Sequence, residues 1–230
     1  MCIINQIINE LTDDSKKLSN TLLKIKVLAT RINNASLLNW VNNELEGYAL
    51  DNLPKYRIIE DQQIFGNLSN GYYILNQQVI PTQHLSKKHK VQMTTSKMSE
   101  GITHIEGLSS FNDKTKSLIS TLPAEALPLL SKGYEDEWAV IGAYIKMDSS
   151  VFTNLLTIVK SKLLELMLAL EEDLSADEIL SLFTTDAIKE KANNVINNYI
   201  YNNSNVFTTN ANSTQKIKLT DALASNGIQN

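Results

Sequence analysis

The chain is 230 residues long, enough for one large domain or two small ones with a hydrophobic core. Its formal charge of −4 and pI near 5.4 argue against a protein that relies on general attraction to phosphate, so we expect no nucleic-acid partner. Cys2 is the only cysteine, which excludes an intramolecular disulfide framework and cysteine-cluster zinc sites and leads us to expect a cytoplasmic protein.

The N-terminal part of the chain predicts three amphipathic helices. Apolar residues recur at steps of three and four over residues 3–11 and again over residues 18–32. The first of these helices lacks the basic leader and continuous apolar run of a secretory signal. A third helix begins near Ala35 and ends at Gly47, because glycine readily adopts the left-handed conformation just past a helix end.

The middle of the chain predicts a small, mostly antiparallel sheet. The segments YRIIE, QQIFGNL, GYYILNQQVIP and HKVQMTT are short, rich in strand-forming residues and separated by turn residues. The pair Asn70-Gly71 is a hairpin signal, and the basic run at residues 87–90 predicts a solvated edge strand or hairpin. Residues 111–132 return to a helical or irregular pattern, with a short helix between Pro123 and Pro128. The segment WAVIGAYIKMD predicts one more strand.

The strongest predicted helix covers residues 150–172, after the N-cap candidate Asp148. Charged residues in its middle argue against a membrane span, so we expect no membrane contact in the resting state. Its apolar surface is too wide for a helix covered on one side, which predicts a central position in the fold or a subunit contact. Three apolar residues outside the main stripe are the interface candidates: Ile158, Leu164 and Leu168.

The C-terminal part predicts two more helices and a polar tail. Ser175 and Glu178 form a capping-box pattern, and a last helix covers residues 186–199. Residues 201–230 are rich in Asn, Ser and Thr, which favours a flexible tail. The fold class is therefore α+β, with N-terminal helices, a small central sheet and a C-terminal helical segment. We divide the chain at residues 1–173, 174–200 and 201–230.

Tests for chemistry identify no catalytic residue, metal site or cofactor. The three histidines, His84, His89 and His104, do not follow a metal-binding spacing, and no glycine-rich phosphate loop or nucleophile elbow occurs. Two acidic clusters, at residues 135–137 and 171–173, are interpreted as a solvated turn and a helix end.

One short stretch carries a distinctive set of residues across the end of the third helix. It reads WVNNELEGY over residues 40–48 and LPKYR over residues 53–57. Trp40 and Glu44 share a helix face, and Arg57 can reach back to Glu44, so the stretch predicts a helix-to-sheet corner. Its eight defining residues are Trp40, Glu44, Leu45, Gly47, Tyr48, Pro54, Tyr56 and Arg57.

This stretch resembles the signature of the AbiTii family, abortive-infection proteins of bacterial antiphage defence. The Leu-rich helix after Asp148 is similar to that family's second landmark, so we expect the resemblance to extend over about residues 3–173. The resemblance implies a role in protecting a bacterial population from phage by arresting or killing the infected cell. It supplies no catalytic residue.

Three functional hypotheses follow. The first is a non-enzymatic defence module that forms a homo-oligomer or captures a phage or host protein. The second is a toxic effector, a metal-dependent nuclease that uses Glu44, Arg57 and acids of residues 135–137. The third is a membrane-disrupting effector that releases its Leu-rich helix after a trigger.

Overall fold

The computed structural model describes residues 3–110, 118–134 and 137–203, and within these ranges it confirms the predicted α+β class. The helices are α1 (Ile3–Thr12), α2 (Leu18–Arg31), α3 (Ala35–Glu46), α4 (Lys87–Thr94), α5 (Ile102–Ser109), α6 (Leu127–Ser131), α7 (Ser149–Asp173), α8 (Ala176–Leu180) and α9 (Asp186–Asn202). The strands are β1 (Ile58–Ile59), β2 (Ile64–Ser69), β3 (Ile74–Val79), β4 (Ser96–Lys97), β5 (Leu118–Thr121) and β6 (Ala139–Met147).

Helix α7 lies in the centre of the main hydrophobic core. Its first turn is capped by the Asp148 carboxylate, which accepts a hydrogen bond from the Ser150 backbone N–H at 2.8 Å. One stripe of the helix packs against α1, α5 and α9. The buried residues of that stripe are Phe152, Leu155, Val159, Leu163, Leu166, Met167 and Leu170. Of the two alternatives that the sequence left open, a central position is thus confirmed.

The ends of the helices follow local capping signals. The Asn34 side chain accepts a hydrogen bond from the Leu37 backbone N–H at 2.8 Å and begins α3. Gly47 ends the same helix with φ of +103°, a conformation that favours glycine. Ser175 and Glu178 form the predicted capping box at α8. These signals explain why the helix boundaries could be predicted closely.

The four-stranded sheet has the order β3-β2-β6-β5, with every neighbouring pair antiparallel, and a separate small sheet joins β1 to β4. The hairpin predicted at Asn70-Gly71 is confirmed, since Ser69 pairs with Ile74. One face of the larger sheet packs with α4 and α6 around a second, smaller core. The buried residues of that core are Ile64, Leu68, Ile80, Met93, Ala126, Leu130, Val140 and Ala143.

Helix α4 corrects the sequence interpretation of HKVQMTT as a strand. The basic run at residues 87–90 lies at the start of this helix and not on an edge strand or hairpin. The Ser86 hydroxyl accepts a hydrogen bond from the His89 backbone N–H and begins the helix. Met93 is then buried in the smaller core, so tertiary packing outweighs the alternating pattern that Val91 and Met93 create.

Three further elements were not predicted from the sequence: helix α5, strand β5 and the two-residue strand β4, which forms by pairing with β1. Helix α5 buries Ile102 and Ile105, one helical turn apart, although the flanking Gly101 and Gly107 resemble turn residues. Strand β5 forms by pairing with β6, a long-range contact that a four-residue pattern does not reveal. The short helix expected between Pro123 and Pro128 is a 3₁₀ turn at Ala124–Ala126 that continues into α6.

Some of the residues interpreted from the sequence lie outside the ranges that the structure describes. Cys2, Glu135, Asp136 and residues 204–230 lie outside the described residues. The second acidic cluster, residues 171–173, lies at the exposed end of α7 as expected. Among the helices of the described ranges, none is both long enough and apolar enough to cross a lipid bilayer.

Candidate functional site

The eight signature residues lie where α3 ends and the chain turns toward β1. Trp40 and Glu44 are one helical turn apart and both are buried. A side chain at Gly47 would be strained by the positive φ, and its Cβ would also come within 2.6 Å of the Ser99 carbonyl oxygen. The glycine therefore allows the end of α3 to approach the segment of residues 98–101.

Glu44 is the centre of a buried cluster. One carboxylate oxygen, Oε1, accepts hydrogen bonds from the Tyr48 hydroxyl at 2.7 Å and from the Tyr56 hydroxyl. The other oxygen, Oε2, accepts from Nη2 of Arg57 at 2.7 Å. The side chains of Glu44 and Arg57 are both 0% exposed. Trp40 completes the cluster, because its indole N–H donates to the Tyr56 hydroxyl oxygen at 3.3 Å.

Arg57 connects this cluster to a distant part of the chain. Its Nη1 group donates to the carbonyl oxygens of Met98 and Glu100, at 2.9 and 2.7 Å. Two backbone hydrogen bonds, each of 2.8 Å, reinforce the connection: Met98 N–H donates to the Arg57 carbonyl, and Tyr48 N–H donates to the Ser99 carbonyl. The guanidinium carbon also lies 4.9 Å from the centre of the Tyr48 ring.

Burial and charge shift the pKa values of this cluster in directions that preserve it. Burial raises the pKa of the Tyr48 hydroxyl far above its usual range, and the Glu44 carboxylate raises it further. The pKa of the Tyr56 hydroxyl is raised for the same two reasons. Burial acts to lower the pKa of Arg57, but the adjacent Glu44 carboxylate outweighs it and the net shift is upward. The phenols therefore remain neutral donors, and the guanidinium remains charged.

The other two signature residues have supporting positions. Leu45 is half-buried against the main core, and a side chain at Gly101 would clash with its backbone carbonyl oxygen. Pro54 precedes a 3₁₀ turn at Lys55–Arg57, and its carbonyl oxygen accepts from the Arg57 N–H at 3.0 Å. The structure thus brings all eight signature residues to one corner.

The remaining candidate residues lie elsewhere. On α7, Ile158 and Leu164 are half-buried, and Leu164 packs against the main core, whereas Leu168 is 46% exposed. His84 lies in a loop, with Nε2 2.9 Å from the Leu129 carbonyl oxygen, while His89 and His104 lie on α4 and α5. Within the described ranges, no group of three or more His, Cys, Asp or Glu side chains is arranged to hold a metal ion.

The sequence interpretation missed the contribution of residues 98–101 to this corner. Met98, Ser99 and Glu100 act through backbone carbonyl oxygens, which leave no side-chain pattern in a sequence. Gly101 is the sequence signal of this close approach, because any residue with a side chain at that position would place its Cβ within 2.3 Å of the Leu45 carbonyl oxygen.

We expect Glu44→Gln to lower the free energy of unfolding by about 3–5 kcal/mol, because it leaves the Arg57 guanidinium buried without its counter-charge. Urea unfolding monitored by circular dichroism measures the difference. Glu46→Gln is the matched control on the same helix: the Glu46 side chain is 72% exposed, so we expect a change within about 0.5 kcal/mol. Equal effects of the two substitutions would contradict a buried ion pair at Glu44.

The raised tyrosine pKa values predict a loss of stability in alkali. A tyrosine whose pKa is raised by folding stabilises the folded chain fully at pH values below its ordinary pKa of about 10. This stabilisation is lost progressively as the pH rises from there toward the raised pKa. Each such tyrosine lowers the free energy of unfolding by about 1.4 kcal/mol per pH unit in that range. Between pH 8 and pH 11, we therefore expect the decrease to be about 1.4 kcal/mol smaller in Tyr48→Phe than in the unmodified chain.

Tyr72→Phe is the control for this pH experiment. The Tyr72 side chain is 92% exposed and therefore contacts water in both the folded and the unfolded chain. We expect its pH profile to match that of the unmodified chain in urea titrations. A Tyr48→Phe profile that also matches would show that the Tyr48 hydroxyl is not held protonated by the fold.

Comparison with known proteins agrees with the signature at this corner. The family model described as AbiTii matches residues 2–197, which is further than the expected end of the resemblance at residue 173 and includes α8 and most of α9. Comparison with curated proteins and with solved structures finds no significant match. Because the family model covers most of its length, the chain belongs to the AbiTii family, whose name associates it with abortive-infection defence.

Proposed function

We propose that this protein acts in abortive infection as a non-enzymatic module in the cytoplasm, which protects through contacts with other protein chains. The observation that supports a non-enzymatic role is the enclosure of the signature cluster. Glu44 and Arg57 are 0% exposed, and both oxygens of the carboxylate already accept hydrogen bonds from within the chain. A catalytic acid, base or metal ligand must reach the substrate or the ion. The cluster is instead built to join α3 to residues 98–101.

The enclosure of Glu44 weighs against the nuclease hypothesis in particular. That hypothesis needs Glu44 and Arg57 to bind a metal ion or a phosphate group together with acids of residues 135–137. In the folded chain, the guanidinium of Arg57 donates to the carbonyl oxygens of Met98 and Glu100 as well as to Glu44. Binding a phosphate would require these contacts to break and would leave the carboxylate buried without its counter-charge, which is unfavourable.

A contact-based role is supported by the apolar surface of the four-stranded sheet. Large exposed hydrophobic patches on a protein surface often mark interaction sites. Seven large hydrophobic side chains on the sheet and its β2–β3 loop are exposed: Tyr72, Tyr73, Ile74, Leu75, Val79, Ile119 and Ile141. On α7, Leu168 is also exposed, and we keep it as a candidate contact residue. We propose that these surfaces bind a second copy of the chain or a phage or host protein.

Two variants of the ion pair, compared in cells challenged with phage, distinguish a structural role of the signature residues from a catalytic one. The double variant Glu44→Gln/Arg57→Met removes both charges. Arg57→Met alone leaves the Glu44 carboxylate buried without its counter-charge and should lower the free energy of unfolding by about 3–5 kcal/mol. In the double variant, the glutamine side-chain oxygen can still accept from Tyr48 and Tyr56. We therefore expect the double variant to be more stable than Arg57→Met.

Phage protection is then compared per amount of folded protein, measured by plaque counts together with thermal melting of the purified chain. We expect the double variant to protect as well as the unmodified chain, because the signature residues do not contact a substrate. A double variant that melts like the unmodified chain but no longer protects would contradict the proposal. Loss of nucleic acid in infected cells that disappears in the same variant would favour the nuclease instead.

A further inference from the structure

Among the residues that the structure describes, strand β3 lies at one edge of the four-stranded sheet and pairs only with β2. All six of its residues are exposed, and Ile74 and Val79 are 60% and 51% exposed. The N–H and C=O groups on the outer side of an edge strand can pair with a further strand. Natural proteins usually protect such an edge with lysine or proline, and β3 contains neither.

Strand β3 and its neighbours in sequence carry no charge, and the charged group that approaches the strand is Lys146 of β6, whose Nζ lies 3.3 Å from Oε1 of Gln77. From Gln62 to Gln83 the sequence contains no Asp, Glu, Lys, Arg or His, although 20% of the chain is charged. Two copies of a protein with a net charge of −4 repel each other in general. Because β3 has no charged residue of its own, the strand itself adds no like-charge repulsion where two copies would meet.

An extra residue in the middle of β3 allows the strand to pair with the same strand of a second copy. Val79 pairs with Phe65 and Ile74 pairs with Ser69, and these two partners, four residues apart on β2, lie on the same face of the sheet. Residues five apart on a regular strand would lie on opposite faces. The register shift between Gln78 and Leu75, with Gln77 at φ of +56°, adds one residue and brings Ile74 and Val79 to the same face.

We propose that β3 pairs antiparallel with β3 of a second copy, so that two four-stranded sheets form one continuous sheet of eight strands. In this register Ile74 of each copy lies opposite Val79 of the other, and Leu75 lies opposite Gln78. Residues that lie directly opposite each other in an antiparallel pair share a face, and both pairs satisfy this condition. The inference rests on the proposed function, because it names a second copy as the partner among those that a contact-based role allows.

A second copy fits this edge better than an unrelated strand does. The pairing follows a two-fold axis between Asn76 and Gln77, so each contact occurs twice, as in other symmetric dimers. It aligns two apolar pairs on the exposed face of the sheet, where water would otherwise surround them. The pairing competes with two hydrogen bonds to β3 carbonyl oxygens, from the Tyr134 hydroxyl to Val79 at 3.4 Å and from Gln78 Nε2 to Asn76 at 2.9 Å.

The proposed register can be tested by light scattering coupled to size exclusion, with charges placed at the two ends of the strand. We expect the unmodified chain to have twice the 25.7 kDa mass of one chain. Ile74→Lys and Val79→Glu each place two charges opposite apolar side chains in a homodimer, so each variant should shift to the mass of a single chain. Leu180→Lys, a charge on α8 at a side chain that is 75% exposed and lies outside the sheet, is the control and should remain a dimer.

Mixing the two charged variants gives the decisive result. In a mixed dimer, lysine at position 74 lies opposite glutamate at position 79 at one end, and the native apolar pair remains at the other. We expect the mixture to regain the dimer mass, which no other register predicts. A monomeric unmodified chain, dimeric single variants or a mixture that stays monomeric would each overturn the inference.

The outcomes also separate this inference from the proposed function. A monomeric unmodified chain that still protects cells from phage would overturn β3 pairing and leave a contact with a different protein as the basis of protection. Loss of protection in the folded Glu44→Gln/Arg57→Met variant would overturn the non-enzymatic role, whatever the mass of the chain.

Discussion

The buried ion pair between Glu44 and Arg57 is the interaction on which the arrangement of this chain depends. Two opposite charges without solvent exposure are tolerable only when every donor and acceptor has a partner. Glu44 meets this requirement through two tyrosine hydroxyls, and Arg57 meets it through the carbonyl oxygens of residues 98 and 100. The end of α3, the turn before β1 and the segment before α5 are thereby held in one geometry, and loss of either charge leaves the other unpaired.

This requirement gives a physical reason for the presence of the signature residues in this chain, where their polar groups are enclosed. Tryptophan, glutamate, tyrosine and arginine together commonly suggest catalysis, but here their polar groups contact one another and the backbone. Gly47 serves the same geometry, because a side chain there would meet the Ser99 carbonyl. The surface that we propose for function lies on the four-stranded sheet, where apolar side chains and strand β3 are exposed to solvent.

Local signals explain what could be predicted from the sequence, and long-range contacts explain what could not. Asp148, Ser175 and Gly47 act on their own helix ends, so α7, α8 and the end of α3 were predicted closely. Strand β5 exists because β6 pairs with it, and α4 replaces a predicted strand because its Met93 packs in the smaller core. At the corner, Glu44 and Arg57 could be recognised in the sequence. The carbonyl groups that complete the contacts of Arg57 could not, because they lie 41 and 43 residues away and leave no side-chain pattern.

Native-state hydrogen exchange tests most directly whether the ion pair holds this corner as part of one cooperative unit. The informative amides are those of Tyr48 and Met98, which bond across the corner, with the Leu163 amide in the centre of α7 as the reference. If the ion pair holds the corner and α7 in one cooperative unit, all three amides exchange only through global unfolding and show similar protection free energies. Exchange of Tyr48 and Met98 through a much easier local opening, while Leu163 remains protected, would contradict it.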